Sequence, residues 1–305
     1  MARFVTVGSI SARPTPPLSD KQARLQEAER LATRVARMGA DIVVFPEVYL
    51  NLDAPIEDWP QLAEPASGPS TSYMAEVAKR HHMYVLWPLI QREGDYLYNS
   101  LLLIDRRGEV QGAYHKMFPT IGEIQAGVRP GVEATVLSTD FGKIGMAICF
   151  DLNFRPVMEG LHHNGAEIVF FSSMYRGGLQ VQAWAQEFNY YIVTAIGAEL
   201  GQIVDMSGRV LAESTYEAHN VLRLNLDRRV LHMDYNWDKT DDILAKYGTG
   251  VRFDFFTREA KFAIASEMPD RSVDEIITEF GLEPLDAYML RAYQARDRAL
   301  SEGAS

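Results

Sequence analysis

Short continuous apolar runs, each bounded by a helix-forming segment or a turn, constrain this chain's fold more than any other feature. Asp41-Ile-Val-Val-Phe-Pro46 and Tyr84-Val-Leu-Trp-Pro-Leu-Ile90 read as strands covered on both faces, and Lys143-Ile-Gly-Met-Ala-Ile-Cys149, residues 168–171 and residues 191–196 read as further strands. Helical patterns lie between them. Leu25, Ala28, Leu31, Ala32, Val35 and Met38 recur at helical spacing after Ser19-Asp20 and stop at Gly39, and further helices are expected over 70–82, 155–164 and 180–189. Paired strands interrupt this alternation. Residues 98–104 and 109–114 flank Asp105-Arg-Arg-Gly108, residues 203–211 turn at Ser207-Gly208, and a short strand is expected near 135–138. Strands outnumber helices, so the expected class is α/β with two mixed sheets between outer helices. The pattern weakens after Leu226. The expected division is a main domain over 1–226 and a charged, aromatic-containing C-terminal extension over 227–305, with a last helix near 285–300.

With 305 residues, 47% hydrophobic and 23% charged, the chain can bury a large core. A net charge of -11 without a basic cluster argues against nucleic acid as a partner. The N-terminus, Met1-Ala-Arg-Phe-Val-Thr-Val7, has no basic segment leading into a long apolar region, and no window approaches a membrane span, so no membrane partner and a cytoplasmic location are expected. Cys149 is the only cysteine, which excludes an intrachain disulfide and a cysteine-based zinc cluster and leaves the thiol free for chemistry.

Three strand ends far apart in sequence carry polar residues. Glu47 follows Val43-Val-Phe-Pro46, Lys116 follows Gly112-Ala-Tyr-His115, and Cys149 follows Met146-Ala-Ile148. Taken singly, these are an ordinary loop acid, a solvated cation and a small buried hydrophobe. Strand ends of an α/β sheet converge at one edge, and there the three have complementary chemistry. The carboxylate takes the thiol proton, the lysine lowers the thiol pKa from about 8.5 and holds an oxyanion, and the thiolate attacks a carbonyl. His115 precedes Lys116 on the strand and is expected to face the other way. The pairs His81-His82 and His162-His163 fall at helix ends, where the helix dipole accounts for them.

These blocks resemble the nitrilase superfamily of carbon–nitrogen hydrolases. Phe45-Pro46-Glu47 matches the first block of that family. His115-Lys116-Met-Phe-Pro119-Thr120-Ile-Gly-Glu123 resembles its lysine block, and Gly145-Met-Ala-Ile-Cys149-Phe150-Asp151 its nucleophile block, within a resemblance spanning roughly residues 4–226. The resemblance implies a four-layer α-β-β-α sandwich, and it implies assembly into homodimers or larger homo-oligomers. It also implies Glu47 as general base, Lys116 as oxyanion stabiliser, Cys149 as nucleophile, Glu123 as a second acid and the Phe150 backbone N–H as the other oxyanion donor. No metal or organic cofactor is implied. Three departures stand out: Phe154-Arg155-Pro156 where the family carries an aromatic followed by Pro-Glu, Phe188 where Ala185-Gln-Glu187 would be followed by Asn, and the unmatched tail past Leu226.

Phe150-Asp151 after the nucleophile resembles amidases and N-carbamoyl hydrolases, whereas nitrile-hydrolysing members carry Trp-Glu there. The expected function is thioester-forming hydrolysis of small linear amides or N-carbamoyl compounds with release of ammonia or an amine. A nitrilase is the close alternative, given the nitrilase-like Lys116-Met-Phe-Pro119-Thr120. An inactive binding scaffold is the alternative from another class, and a dinucleotide-binding fold ranks behind both, since Val7-Gly8-Ser-Ile10 offers no Gly-rich turn. Arg176 is a candidate for holding a substrate carboxylate, with Asn153, Ser172, Tyr175 and Tyr49 as further substrate-binding candidates and Trp184 as another aromatic for the pocket.

Overall fold

The computed structural model describes residues 2–302, which divide into two compact units, one spanning Val5–Leu224 and the other formed by the residues after Leu224 with the short stretch before Val5. The larger unit contains two six-stranded sheets. Its elements in chain order are β1 (Phe4–Ile10), α1 (Lys21–Arg37), β2 (Ile42–Val44), α2 (Trp59–Leu62), α3 (Pro69–His81), β3 (Tyr84–Glu93), β4 (Tyr96–Ile104), β5 (Val110–His115), α4 (Ile121–Gln125) and β6 (Val136–Ser138). There follow β7 (Lys143–Ile148), α5 (Arg155–His163), β8 (Ile168–Ser173), α6 (Leu179–Phe188), β9 (Tyr191–Ile196), β10 (Gln202–Val204), β11 (Val210–Glu213) and β12 (His219–Asn225).

The sheets run β12-β1-β2-β3-β4-β5 and β11-β10-β9-β8-β7-β6. Each has a parallel centre (β1, β2 and β3 in one, β7, β8 and β9 in the other) with antiparallel strands β4, β5, β6, β10 and β11 added from hairpins, and β12 lies beside β1 at one edge. The parallel strands are mostly apolar because both of their faces are covered. Val43, Phe45, Val85 and Trp87 pack against Leu25, Leu31 and Val35 of α1 and Met74 and Val77 of α3. Residues of the opposite parity, Ile42, Val44 and Leu86, are equally buried on the other face. In the second sheet Ala147, Val169, Phe171 and Ile192 pack against Val157 and Leu161 of α5 and Val181 and Ala185 of α6. The result is the α-β-β-α sandwich. Cross-sheet hydrogen bonds hold its two halves in register: Ser172 Oγ donates to Phe45 O at 2.8 Å, and Ile196 N to Ser11 Oγ at 3.2 Å.

Local signals set the helix ends. Asp20 Oδ1 accepts from Ala23 N at 2.9 Å to start α1, a cap worth about 1 kcal/mol. Thr120 and Glu123 form a capping box at α4.

The extension is more ordered than its sequence pattern suggests. It contains β13 (Arg228–His232), α7 (Thr240–Tyr247), β14 (Val251–Phe256), β15 (Lys261–Ser266), α8 (Val273–Glu279) and α9 (Leu285–Glu302). The antiparallel sheet β13-β15-β14 closes on Leu231, Phe262, Ile264, Val273 and Ile276. Among the described residues no helix is long and apolar enough to cross a membrane.

Candidate active site

Glu47, Lys116 and Glu123 meet as a buried cluster, each at most 3% exposed. Lys116 Nζ lies 2.7 Å from Glu47 Oε1 and 2.9 Å from Glu123 Oε2. Asn99, on β4, bridges the two acids: its Nδ2 donates to Glu47 Oε1 at 2.8 Å and to Glu123 Oε1 at 2.7 Å. The sequence reading missed Asn99. Its signal was a lone amide within an apolar strand, which only the pairing of β4 beside the lysine strand makes meaningful, where Lys116 N donates to Asn99 O at 2.9 Å. Glu123 is pinned further by the Thr120 amide, 2.6 Å from its Oε2. One Glu47 oxygen remains: buried Oε2 has no hydrogen-bond partner among the described residues.

Cys149 begins a 3₁₀ turn at the end of β7 with φ 47, a left-handed conformation that non-glycine residues seldom adopt. Val48, next to Glu47, is left-handed as well, at φ 46. For a β-branched side chain that conformation is strained, and strain of this kind gathers where surrounding structure dictates a side chain's aim.

Asp151 holds the Cys149 turn to the lysine segment. Fully buried, it accepts from Ile148 N at 2.9 Å, Phe118 N at 2.8 Å and Tyr114 OH at 2.7 Å, while Tyr114 OH accepts from Met117 N at 3.2 Å. Asp151 is therefore an architectural residue in this chain, and any bearing it has on substrate choice is indirect. Burial pushes its carboxyl up to about 6, partly offset by the Tyr114 hydroxyl and the two amides.

Charges in the cluster follow its geometry. Burial alone would lower the Lys116 pKa, but the facing Glu47 and Glu123 carboxylates outweigh it and keep the ammonium charged. Burial works against ionised Glu123, and Lys116, the Thr120 amide and Asn99 together hold it below the usual carboxylate range. Cys149 corrects the expectation of a lowered thiol pKa. Burial and the Glu47 charge push the thiol up to about 12, against which Lys116 and the Met174 amide are only a partial offset. The thiol is thereby held in its neutral form.

Glu47, Lys116, Glu123, Thr120, Cys149 and Met174 form the floor of one cavity of about 410 Å³. Val48, Ala54, Pro55, Ile56 and Trp59 line its apolar wall, with Asn51 and Asp53 between them. None of the five predicted substrate-binding residues is among those lining this cavity. The Arg176 guanidinium is ion-paired with Glu199. Tyr49 is fully buried in the helix-facing core, its ring edge-on to Phe45 and Trp87. Ser172 spends its hydroxyl on the cross-sheet bond to Phe45. Asn153 Nδ2 donates to Phe150 O at 3.1 Å and to Tyr175 OH at 3.4 Å, bracing the Cys149 turn. Tyr175 feels the thiol: burial and then the Cys149 charge push its phenol up to about 12. Trp184 Nε1 donates to Leu152 O at 2.8 Å. His115 faces away from the cluster, with Nδ1 2.8 Å from Ser100 Oγ and its ring stacked on Tyr98.

Two of the sequence departures touch each other. Arg155 pairs with Glu187 at 3.2 Å and lies over the Phe188 ring, and Phe154 stacks on Phe118. Among the described residues no group of three or more His, Cys, Asp or Glu side chains is arranged to hold a metal ion.

Two packed sheets with an acid–lysine–thiol cluster at their edge define the class of α-β-β-α sandwich proteins built around a strand-end cysteine. The carbon–nitrogen hydrolase family profile matches residues 6–232, and the chain belongs to that family. It is 32% identical over 182 residues to a bifunctional nitrilase/nitrile hydratase of Lupinus angustifolius, covering 53% of this chain and 52% of that one. It is 31% identical over 200 residues to a beta-ureidopropionase of Arabidopsis thaliana, covering 61% and 49%. The chain thus spans about half the length of the curated relatives it matches. An amidase from Nesterenkonia sp. superposes with a TM-score of 0.64 at 21% identity, covering 81% of this chain and 97% of that one. Saccharomyces cerevisiae Nit3 gives 0.64 at 20%, covering 73% and 90%.

Proposed function

We propose that the chain is a cysteine-dependent hydrolase of non-peptide carbon–nitrogen bonds in small amides or N-carbamoyl compounds. The observation that carries this reading is the unpaired Glu47 Oε2 in a cluster whose other acid oxygens are tied down, sharing one cavity with the Cys149 thiol. Because the thiol is neutral at rest, Glu47 accepts its proton as sulfur attacks the substrate carbonyl. Lys116 Nζ and the Phe150 N–H, one of the unpaired donors opening the turn, hold the oxyanion. The tetrahedral adduct collapses as Glu47 returns the proton to the departing nitrogen, so ammonia or an amine leaves and a thioester remains. Glu47 then deprotonates a water that attacks the thioester, and the proton goes back to sulfur as the acid departs. Glu123 orients Lys116 and Asn99 and adds its charge to keep the ammonium protonated.

Hydroxylamine tests this directly, since it competes with water for a thioester. Formation of the hydroxamic acid from an amide substrate supports the acyl-enzyme, and an acid-only product with undiminished turnover counts against it. The nitrile alternative is favoured by one observation, the nitrilases among the relatives at about 30% identity, and nitriles belong in the same assay.

The supposed partners are small molecules and a second copy of the chain. On α9 the large apolar side chains of Leu290, Tyr293 and Leu300 are 58–68% exposed, which supports assigning the 227–305 extension to a homo-oligomer interface.

A further inference from the structure

The segment after Glu47 supplies much of the cavity wall. Val48, Asn51, Asp53 and Ala54 line the cavity, and irregular backbone presents them: Val48 and Asp53 are left-handed, at φ 46 and φ 78, on either side of a single 3₁₀ turn over Tyr49–Asn51. One short turn between two unfavourable residues has little of its own to hold its shape. A side chain from outside the loop holds it. Arg24, on α1, is 3% exposed, and its Nη1 donates to Leu50 O at 3.1 Å and to Leu52 O at 2.7 Å, while its Nε donates to Pro16 O at 3.0 Å. Three carbonyls from two segments converge on one guanidinium.

Burying a cation is costly unless a carboxylate pairs with it. Here Asp53 Oδ2 stands 4.0 Å away, on a side chain that is 46% exposed and whose other oxygen is paired with Arg13. An apolar side chain would fill the same space without that cost. What the guanidinium adds is a planar fork of donors in fixed directions that serves several carbonyls at once, which an ammonium on a flexible stem does not provide. The reacting groups are held by other means. Glu47 Oε1 is fixed by Lys116 and Asn99, so Arg24 bears on the wall and not on the base.

We propose that Arg24 is a positioning residue that sets the chain-length preference of the site: by gathering the Leu50 and Leu52 carbonyls it holds Val48 and Ala54 as a firm apolar surface on which the chain of a linear amide packs. This rests on the hydrolase reading, whose cavity it shares.

Titration calorimetry on the full-length Cys149→Ala variant separates binding from turnover, with acetamide and butyramide as probes. Each methylene laid against a fixed apolar wall is worth about fourfold in affinity, so butyramide is expected to bind about fifteenfold more tightly than acetamide. Adding Arg24→Lys, which keeps the charge and loses the fork, is expected to bring that ratio below about fourfold, and Arg24→Gln to do the same. With Cys149 intact, Arg24→Lys should raise KM for butyramide more than for acetamide and leave kcat on acetamide within about threefold. A general loss of stability would instead weaken both amides alike and leave the ratio where it was. A butyramide-to-acetamide ratio near one before substitution, a ratio unmoved by either substitution, or failure of both variants to fold would overturn the proposal. Ammonia release by the unmutated chain is read separately. A ratio that collapses on substitution, in a chain that releases no ammonia, leaves the proposal standing and sinks the hydrolase reading, whereas release from both amides with an unmoved ratio does the reverse.

Discussion

At the residue scale, the two oxygens of Glu47 differ. Oε1 is held by Lys116 and Asn99, and Oε2 has no hydrogen-bond partner among the described residues, which is the oxygen the proposed reading assigns to proton exchange with Cys149. Since the Glu47 charge is one of the causes raising the thiol pKa, Glu47→Gln is expected to make the thiol more reactive toward a methanethiosulfonate while turnover collapses. The pH midpoint of modification moves down, and the rate at pH 8 rises about tenfold for each unit of that shift. Slower or unchanged modification would show that the carboxylate does not face the thiol. Asp151 gives a second test. Its folded pKa of about 6 lies above the ordinary carboxylate value of 3.8, so between these the folded state binds the proton more tightly than the unfolded chain does. Its contribution to stability therefore falls as pH rises through that window. Urea unfolding of the native chain and Asp151→Asn should show the difference (native minus variant) larger at pH 4 than at pH 7, and a difference independent of pH would contradict the assignment.

At the element scale, the site depends on how neighbouring segments approach the strand ends. Gly131 N donates to Lys116 O at 2.9 Å, and a Cβ at Gly131 would stand 2.1 Å from His115 O. Gly131→Ala must displace either its loop or the lysine strand, and a drop of tenfold or more in kcat/KM with a lower Tm is expected. Gly122→Ala in α4 is the control. Its Cβ would meet only Ile56 Cδ1, at 3.6 Å, and the change should be tolerated, with a gain of up to about 1 kcal/mol. Equal effects of the two substitutions would count against this account. The strands before Glu47 and Cys149 were legible because burial on both faces leaves apolar runs and the polar residues mark where they stop, and the strand before Lys116 because it follows the hairpin turn at Asp105-Arg-Arg-Gly108. The strand β12 and the sheet of the extension were not, because β12 (His-Asn-Val-Leu-Arg-Leu-Asn) and β13 (Arg-Arg-Val-Leu-His) mix charged and polar residues with apolar ones, and the apolar run of β15 spans only Phe262-Ala-Ile-Ala265. The cavity wall was harder still. Asn51 and Trp59 reach it through a loop and the short helix α2, whose path no periodicity encodes, while Arg176, chosen for its charge, is engaged by Glu199, 23 residues away in sequence.

At the scale of the whole molecule, the exposed apolar side chains of α9 and the chemistry of the cavity make separate demands. If the extension is an interface between copies, Leu290→Glu with Tyr293→Glu should shift sedimentation toward the monomer without unfolding the chain. An unchanged sedimentation coefficient would place the interface elsewhere. The central claim concerns the thiol, and ammonia release from a panel of small amides, N-carbamoyl compounds and nitriles, by the native chain beside Cys149→Ala, tests it most directly. Release from amides or carbamoyl compounds that disappears in the folded variant is the predicted result. Release that survives the substitution, or a folded native chain that releases ammonia from none of them, would contradict it.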